Sequence, residues 1–192
     1  MKQIFLLLTL PAILLLGGCK PGYKKLSGEM RSLERRLYQP GSAGFDKVKA
    51  DSLMGIYQDF LRHYSGDTMA PAVVFRMANL ALNLGKPDTA ILLFDRYMKD
   101  YPQGPKAEVC LFFKAFIYEN NLQDFDKAKK FYEDFLNRYP NSDFANDARI
   151  ALQNLGKTPD QYFMEFEAKR KADSTRVADS LAGLAVKKSK KK

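Results

Sequence analysis

Between residues 45 and 166 the apolar positions fall at helical spacing, and that spacing itself repeats. Tyr57, Phe60, Leu61 and Tyr64 form the first set, Phe94, Tyr97, Met98 and Tyr101 the second, and Tyr132, Phe135, Leu136 and Tyr139 the third. Each reads aromatic, two polar, aromatic, aliphatic, two polar, tyrosine, and is followed by Ser65, Pro102 or Pro140, at offsets of 37 and 38 residues. Apolar residues at i, i+3 and i+7 lie on one side of an α-helix. Proline cannot continue a helix, so each of these is expected to stop there.

A second helix is expected ahead of each later one. Phe75 to Leu84 is apolar and ends at Gly85, a residue suited to a helix C-terminus, and Pro87 suits the first turn of the next helix. Gly104-Pro105 opens a stretch that runs to about Asn120, after which Asp124 or Asp126 can cap the partner helix. A third pair is expected from Ser142, read as a cap, to Leu155 before Gly156. Thr158-Pro159-Asp160-Gln161 then has the form of a capping box with proline at the first helical position. Residues 27–39 offer one more amphipathic helix, with Met30, Leu33 and Leu37 on a face.

This alternation resembles the tetratricopeptide-repeat (TPR) family. The family's small residue where the two helices of a unit meet is matched by Ala78 and Ala115. Its alanine early in the second helix is matched by Ala90 and Ala128, the aromatic four residues later by Phe94 and Tyr132, and the closing proline by Pro102 and Pro140. The first unit departs from the pattern with Leu53 and Ser65, and the last with Gln161 or Tyr162 near the alanine position. End repeats are commonly atypical because one face lacks a neighbour. The resemblance implies an all-α fold, a short TPR α-solenoid of antiparallel helix pairs over residues 45–166.

The N-terminus reads differently. Ile4 to Leu16 is a run of 13 residues broken only by Thr9 and Pro11, preceded by Lys2. A spanning helix takes about 20 apolar residues, so this reads as an export signal. Leu16-Gly17-Gly18-Cys19 resembles the end of a bacterial lipoprotein signal. That resemblance implies acylation of Cys19, which becomes the first residue of the mature chain, and Lys20 after it leans the expectation towards the outer membrane. The expected organisation is a signal over 1–18, a lipidated tether and possible short helix over 19–44, TPR-like repeats over 45–166, and a basic helical or disordered tail over 167–192.

Charge narrows the partners. The formal net charge is +9, but residues 167–192 hold 9 Lys or Arg against 3 Asp or Glu, and residues 19–166 carry only +2. With no basic stripe on the repeats, nucleic acid is not an expected partner. The tail could stay helical to Leu184, with Val177, Leu181 and Leu184 on one side, before a lysine-rich end at 187–192 expected to be disordered. That end reads as solubilising, with contact to anionic lipid headgroups as the sharper alternative.

Catalytic chemistry is not indicated. Once Cys19 is acylated, Cys110 is the remaining cysteine, inside an apolar stretch and expected as a buried hydrophobe. The single histidine, His63, belongs to another repeat. There is no phosphate loop, metal-ligand spacing or nucleophile elbow. Acid pairs such as Asp124/Asp126 and Asp95/Glu133 read as caps and solvated helix faces. No catalytic residue, metal or cofactor is expected.

TPR stacks hold partners on the side lined by the first helix of each unit. By the resemblance, Phe75, Asn79 and Leu82, and Phe112, Phe116 and Glu119, are the candidate partner-binding residues. The Tyr139-Pro140-Asn141-Ser142 joint, followed by Ala145 and Ala148, further resembles envelope TPR proteins. Two such groups are the TPR lipoprotein of the outer-membrane β-barrel assembly machine and the TPR partner of the Tol–Pal system. The chain has the lipobox of the first and fewer repeats. The expected function is a lipid-anchored scaffold for envelope proteins, in outer-membrane protein assembly, facing the periplasm. A division or peptidoglycan-associated adaptor is the alternative, followed by a surface glycan-uptake accessory.

Overall fold

A computed structural model describes residues 22–39 and 45–189 of the chain, with side chains to residue 178. The expected signal, Cys19 and the lysines at 190–192 lie outside the described residues. The described residues form eight helices and no strand: α1 Tyr23–Leu37, α2 Lys47–His63, α3 Ala70–Asn83, α4 Pro87–Asp100, α5 Ala107–Asn120, α6 Phe125–Arg138, α7 Ala145–Asn154 and α8 Pro159–Ser189. They divide into two compact units, up to Val73 and from Val74 on.

In the first unit α1 packs on α2. Leu26, Met30 and Leu37 of α1 are buried, as are Ala50, Leu53, Tyr57 and Phe60 of α2. The Tyr57 hydroxyl donates to the Glu34 carboxylate at 2.6 Å, so the buried ring keeps a partner for its polar end. Tyr23 closes the end of the pair, its ring meeting Tyr64 edge-on at 5.3 Å. Asp46 caps α2 by accepting from the Lys49 N–H at 3.0 Å.

In the second unit the repeated aromatics form the core. Phe94, Tyr97, Tyr132 and Phe135 are buried, and Ala78, Ala90, Ala115 and Ala128 are fully so. Each of these alanines has only a methyl group to place between two helices, so the backbones can approach and the rings of the second helix fill the space beside them. Asp124 caps α6, accepting from the Lys127 N–H at 3.1 Å.

The joints between units are alike, and they correct two expected helix starts. Tyr64, Tyr101 and Tyr139 each end a helix by donating a backbone N–H to Phe60, Tyr97 or Phe135, all at 2.8 Å. The chain then makes two successive turns. In the first, the N–H groups of Asp67, Gly104 and Ser142 reach the carbonyls of those tyrosines. In the second, the N–H groups of Ala70, Ala107 and Ala145 reach the carbonyls of Asp67, Gly104 and Ser142. Gly104 and Ser142 therefore sit in the reversal, and the helices expected to open there begin three residues later. The first joint has the same bonds with Ser65 in place of proline, so the proline reinforces a stop that the turn already makes. Gly104 is needed at its position because a Cβ there would stand 2.6 Å from the Tyr97 hydroxyl oxygen. That oxygen accepts from the Lys106 N–H at 3.2 Å.

The expected capping box of α8 forms. Gln161 N–H donates to Thr158 Oγ1 at 3.3 Å, and Thr158 N–H donates to Gln161 Oε1 at 2.9 Å. Counted from its cap, Tyr162 stands where Ala90 and Ala128 stand in α4 and α6. Tyr162 in place of the alanine, with Phe163, Met164 and Phe166, is exposed. The helix runs without a break through the boundary expected at 166/167 and carries Lys187 and Lys188 within it, although that end was expected to be disordered.

Candidate partner-binding face

The first helices of the two central units, α3 and α5, superpose in register at an offset of 37 residues, as Ala78 and Ala115 show. Phe75, Asn79 and Leu82 then match Phe112, Phe116 and Glu119. The structure gives these three pairs of positions three different jobs.

The first pair faces inward. The Phe112 ring lies 5.7 Å from Tyr132, 5.5 Å from Phe135 and 5.0 Å from Phe144. It belongs to a buried cluster with Leu111, Ala115, Ala128 and Ala148. Phe75 repeats this placement, 5.9 Å from Phe94 and 6.3 Å from Tyr97. Phe112, expected among the partner-binding residues, is packed between α5, α6 and the start of α7. Phe75 is half-buried for the same reason, with the Lys106 ammonium 5.7 Å from its ring centroid.

The third pair is also spent internally on α5. Glu119 accepts from the Tyr132 hydroxyl at 2.7 Å. Burial, then the bond to Glu119 and its negative charge, push the Tyr132 phenol well above its usual pKa. Leu82 holds the matching position in the unit whose second helix has Phe94, a ring with no hydroxyl to satisfy.

The middle pair points outward. Phe116 is 40% exposed, with its ring against the edge of Phe113 at 6.3 Å. Asn79 is half-buried and donates its amide N–H to the Phe75 carbonyl at 2.9 Å. That bond fixes the side chain on its own helix and leaves the amide oxygen available. One apolar and one hydrogen-bonding side chain thus occupy equivalent outward positions of adjacent units, as a protein-binding surface requires.

One cross-helix contact was not foreseen. Lys114 of α5 pairs with Asp95 of α4 at 2.7 Å, and its ammonium lies 4.2 Å from the Phe131 ring centroid of α6. A single cation so joins three helices. The signal in the sequence was a lone lysine in the apolar run from Val109 to Ile117, but its partner lies 19 residues away, at no helical spacing. Asp95, read as a solvated acid, is the other half of this pair.

Among the described residues no group of His, Cys, Asp and Glu is assembled to hold a metal. Cys110 is fully buried, and burial pushes its thiol up to about 12. It should resist alkylation by iodoacetamide at mild alkaline pH in the folded protein and react fully once the protein is unfolded in urea. Its folded pKa lies above the unfolded value, so its contribution to stability is complete below about pH 9 and lost as pH rises towards about 12. An alkaline unfolding series with a midpoint that stays level across this window would speak against a buried neutral thiol.

Comparison with known proteins agrees with the geometry. The tetratricopeptide-repeat profile matches residues 72–104 and 111–142, the α3–α4 and α5–α6 pairs with their following joints. The outer membrane protein assembly factor BamD of Caulobacter vibrioides is 26% identical over 157 residues, covering 75% of this chain and 51% of the relative. The chain therefore spans about half the length of that relative. With paired helices, alanines at both close approaches and a ring four residues on, residues 72–104 and 111–142 are two repeats of the tetratricopeptide kind, in a chain similar to BamD.

Proposed function

We propose that this protein is a lipid-anchored scaffold that holds protein partners at the outer membrane, facing the periplasm, during assembly of outer-membrane proteins. The observation that carries the reading is the outward placement of Asn79 and Phe116 at equivalent positions of two adjacent repeats, while their neighbours are used for packing. Tetratricopeptide arrays bind through such first-helix surfaces. The similarity to an outer membrane protein assembly factor supplies the setting, and the Leu16-Gly17-Gly18-Cys19 motif supplies the anchor. The partners are envelope proteins, with the β-barrel assembly machinery foremost. A binding role needs no catalytic group, metal or cofactor, and none is proposed.

Asn79→Arg and Phe116→Arg place a long cation at each outward position without touching the core. Each should deplete the envelope proteins that co-purify with the tagged protein by about tenfold or more, as loss of a central contact does. Melting temperature should stay near that of the wild type. An unchanged set of co-purifying proteins in both variants would remove the face from consideration.

A further inference from the structure

The outward side of α1 carries a row of exposed cations. Leu26, Met30 and Leu37 turn into the first unit, which leaves Lys24, Gly28, Arg31 and Arg35 along the opposite side. These residues with Ser32 line an open trough, at whose base Ser27 is buried with its hydroxyl donating to the Lys24 carbonyl. Its three cations are exposed, and no described carboxylate pairs with them. Of the two acids on α1, Glu29 lies off the row, and Glu34 faces α2, where it accepts from Tyr57. The floor is small: Gly28 has nothing within 4 Å of where a Cβ would stand, and Arg31 Nε spends its proton on the Ser27 carbonyl at 3.4 Å.

We infer that this trough seats the phosphate headgroups of anionic lipid. Three features select lipid over an acidic protein. The floor of Ser27, Gly28 and Ser32 offers no apolar pocket of the kind that anchors a protein partner. The row of cations presents charge at one-turn and two-turn spacing, which suits a field of phosphates more than a single carboxylate. Three residues separate Cys19 from Tyr23, so the trough begins within about 14 Å of extended chain from the proposed acyl group. The inference rests on the anchored reading above. The trough would hold the first unit against the bilayer.

Flotation with vesicles tests it, using residues 19–192 carrying Cys19→Ser, so that neither the apolar run Ile4–Leu16 nor an acyl group contributes. The vesicles are phosphatidylcholine alone, or phosphatidylcholine mixed with phosphatidylglycerol, at physiological salt. The protein should prefer the anionic vesicles. K24Q/R31Q/R35Q should weaken that binding by about tenfold or more, since each cation near an anionic surface contributes substantially. K169Q/R170Q/K171Q on α8 removes the same charge and should change binding by less than about threefold. The replaced side chains are exposed, and circular dichroism checks that each variant is folded. No preference for anionic vesicles, no loss in the α1 variant, or equal losses in the two variants would each overturn the inference. An acidic protein as the true occupant would appear as the second of these. The assay uses unacylated protein, so its failure leaves the Cys19 anchor standing. Absence of acylation in cells would likewise leave the vesicle result intact.

Discussion

Phe112→Ala should lower the stability of the protein by about 3–5 kcal/mol, the cost of truncating a fully packed phenylalanine. The ring touches helices on two sides, with Tyr132 and Phe135 on α6 and Phe144 just before α7. Its removal leaves a cavity bordered by Ala115, Ala128 and Ala148, which are too small to fill it. Three helices would have to move to close the gap, and the Tyr132–Glu119 bond at 2.7 Å would have to break with them. Urea unfolding followed by circular dichroism reads the loss directly. Phe116→Ala, three-quarters of the way along the same helix, should cost less than about 1 kcal/mol, because that ring is 40% exposed already. Equal costs at the two sites would mean that the division into inward and outward positions is wrong.

Cys19→Ser should move the protein almost entirely from the membrane fraction to the soluble periplasmic fraction. Each buried methylene of an acyl chain contributes roughly 0.8 kcal/mol, and stable anchoring takes two such signals. Among the described residues no helix is long and apolar enough to cross a membrane, so none of them replaces the lost chains. The headgroup contacts proposed for α1 act at lower strength and would be stripped by salt, whereas acylation would not. Fractionation of cells with and without a high-salt wash separates the two contributions. Retention of Cys19→Ser in the salt-washed membrane would show that the anchor lies elsewhere.

The repeats were legible in the sequence because their chemistry is local. An alanine, a ring four residues later and a tyrosine at the helix end all lie within one helix, where spacing alone assigns a side. The capping box at Thr158 and the cap at Asp124 were readable for the same reason. The helix starts at Ala107 and Ala145 were not, because the turns that delay them depend on where the chain must reverse. The partner face was half legible. The 37-residue offset correctly made Phe75 and Phe112 equivalent. Which side of the helix they face is set by Tyr132, Phe135 and Phe144, and no single-helix pattern contains those rings. The bond from Tyr132 to Glu119 was not legible, because it crosses from one helix to the next. Lys114 and Asp95 escaped notice because their pairing crosses helices. Tyr162 was placed near the alanine position, and its exposure became clear only from the structure.

The central claim is that the outward positions of α3 and α5 hold an envelope protein in the cell. A photo-crosslinking amino acid placed at Asn79, at Phe116 and, as a control, at the exposed Leu92 of α4 measures this without purification. On irradiation of living cells, positions 79 and 116 should yield the same discrete adducts, containing components of the β-barrel assembly machinery, and position 92 should not. Adducts at position 92 alone, or the same pattern at all three positions, would place the binding surface elsewhere on the repeats.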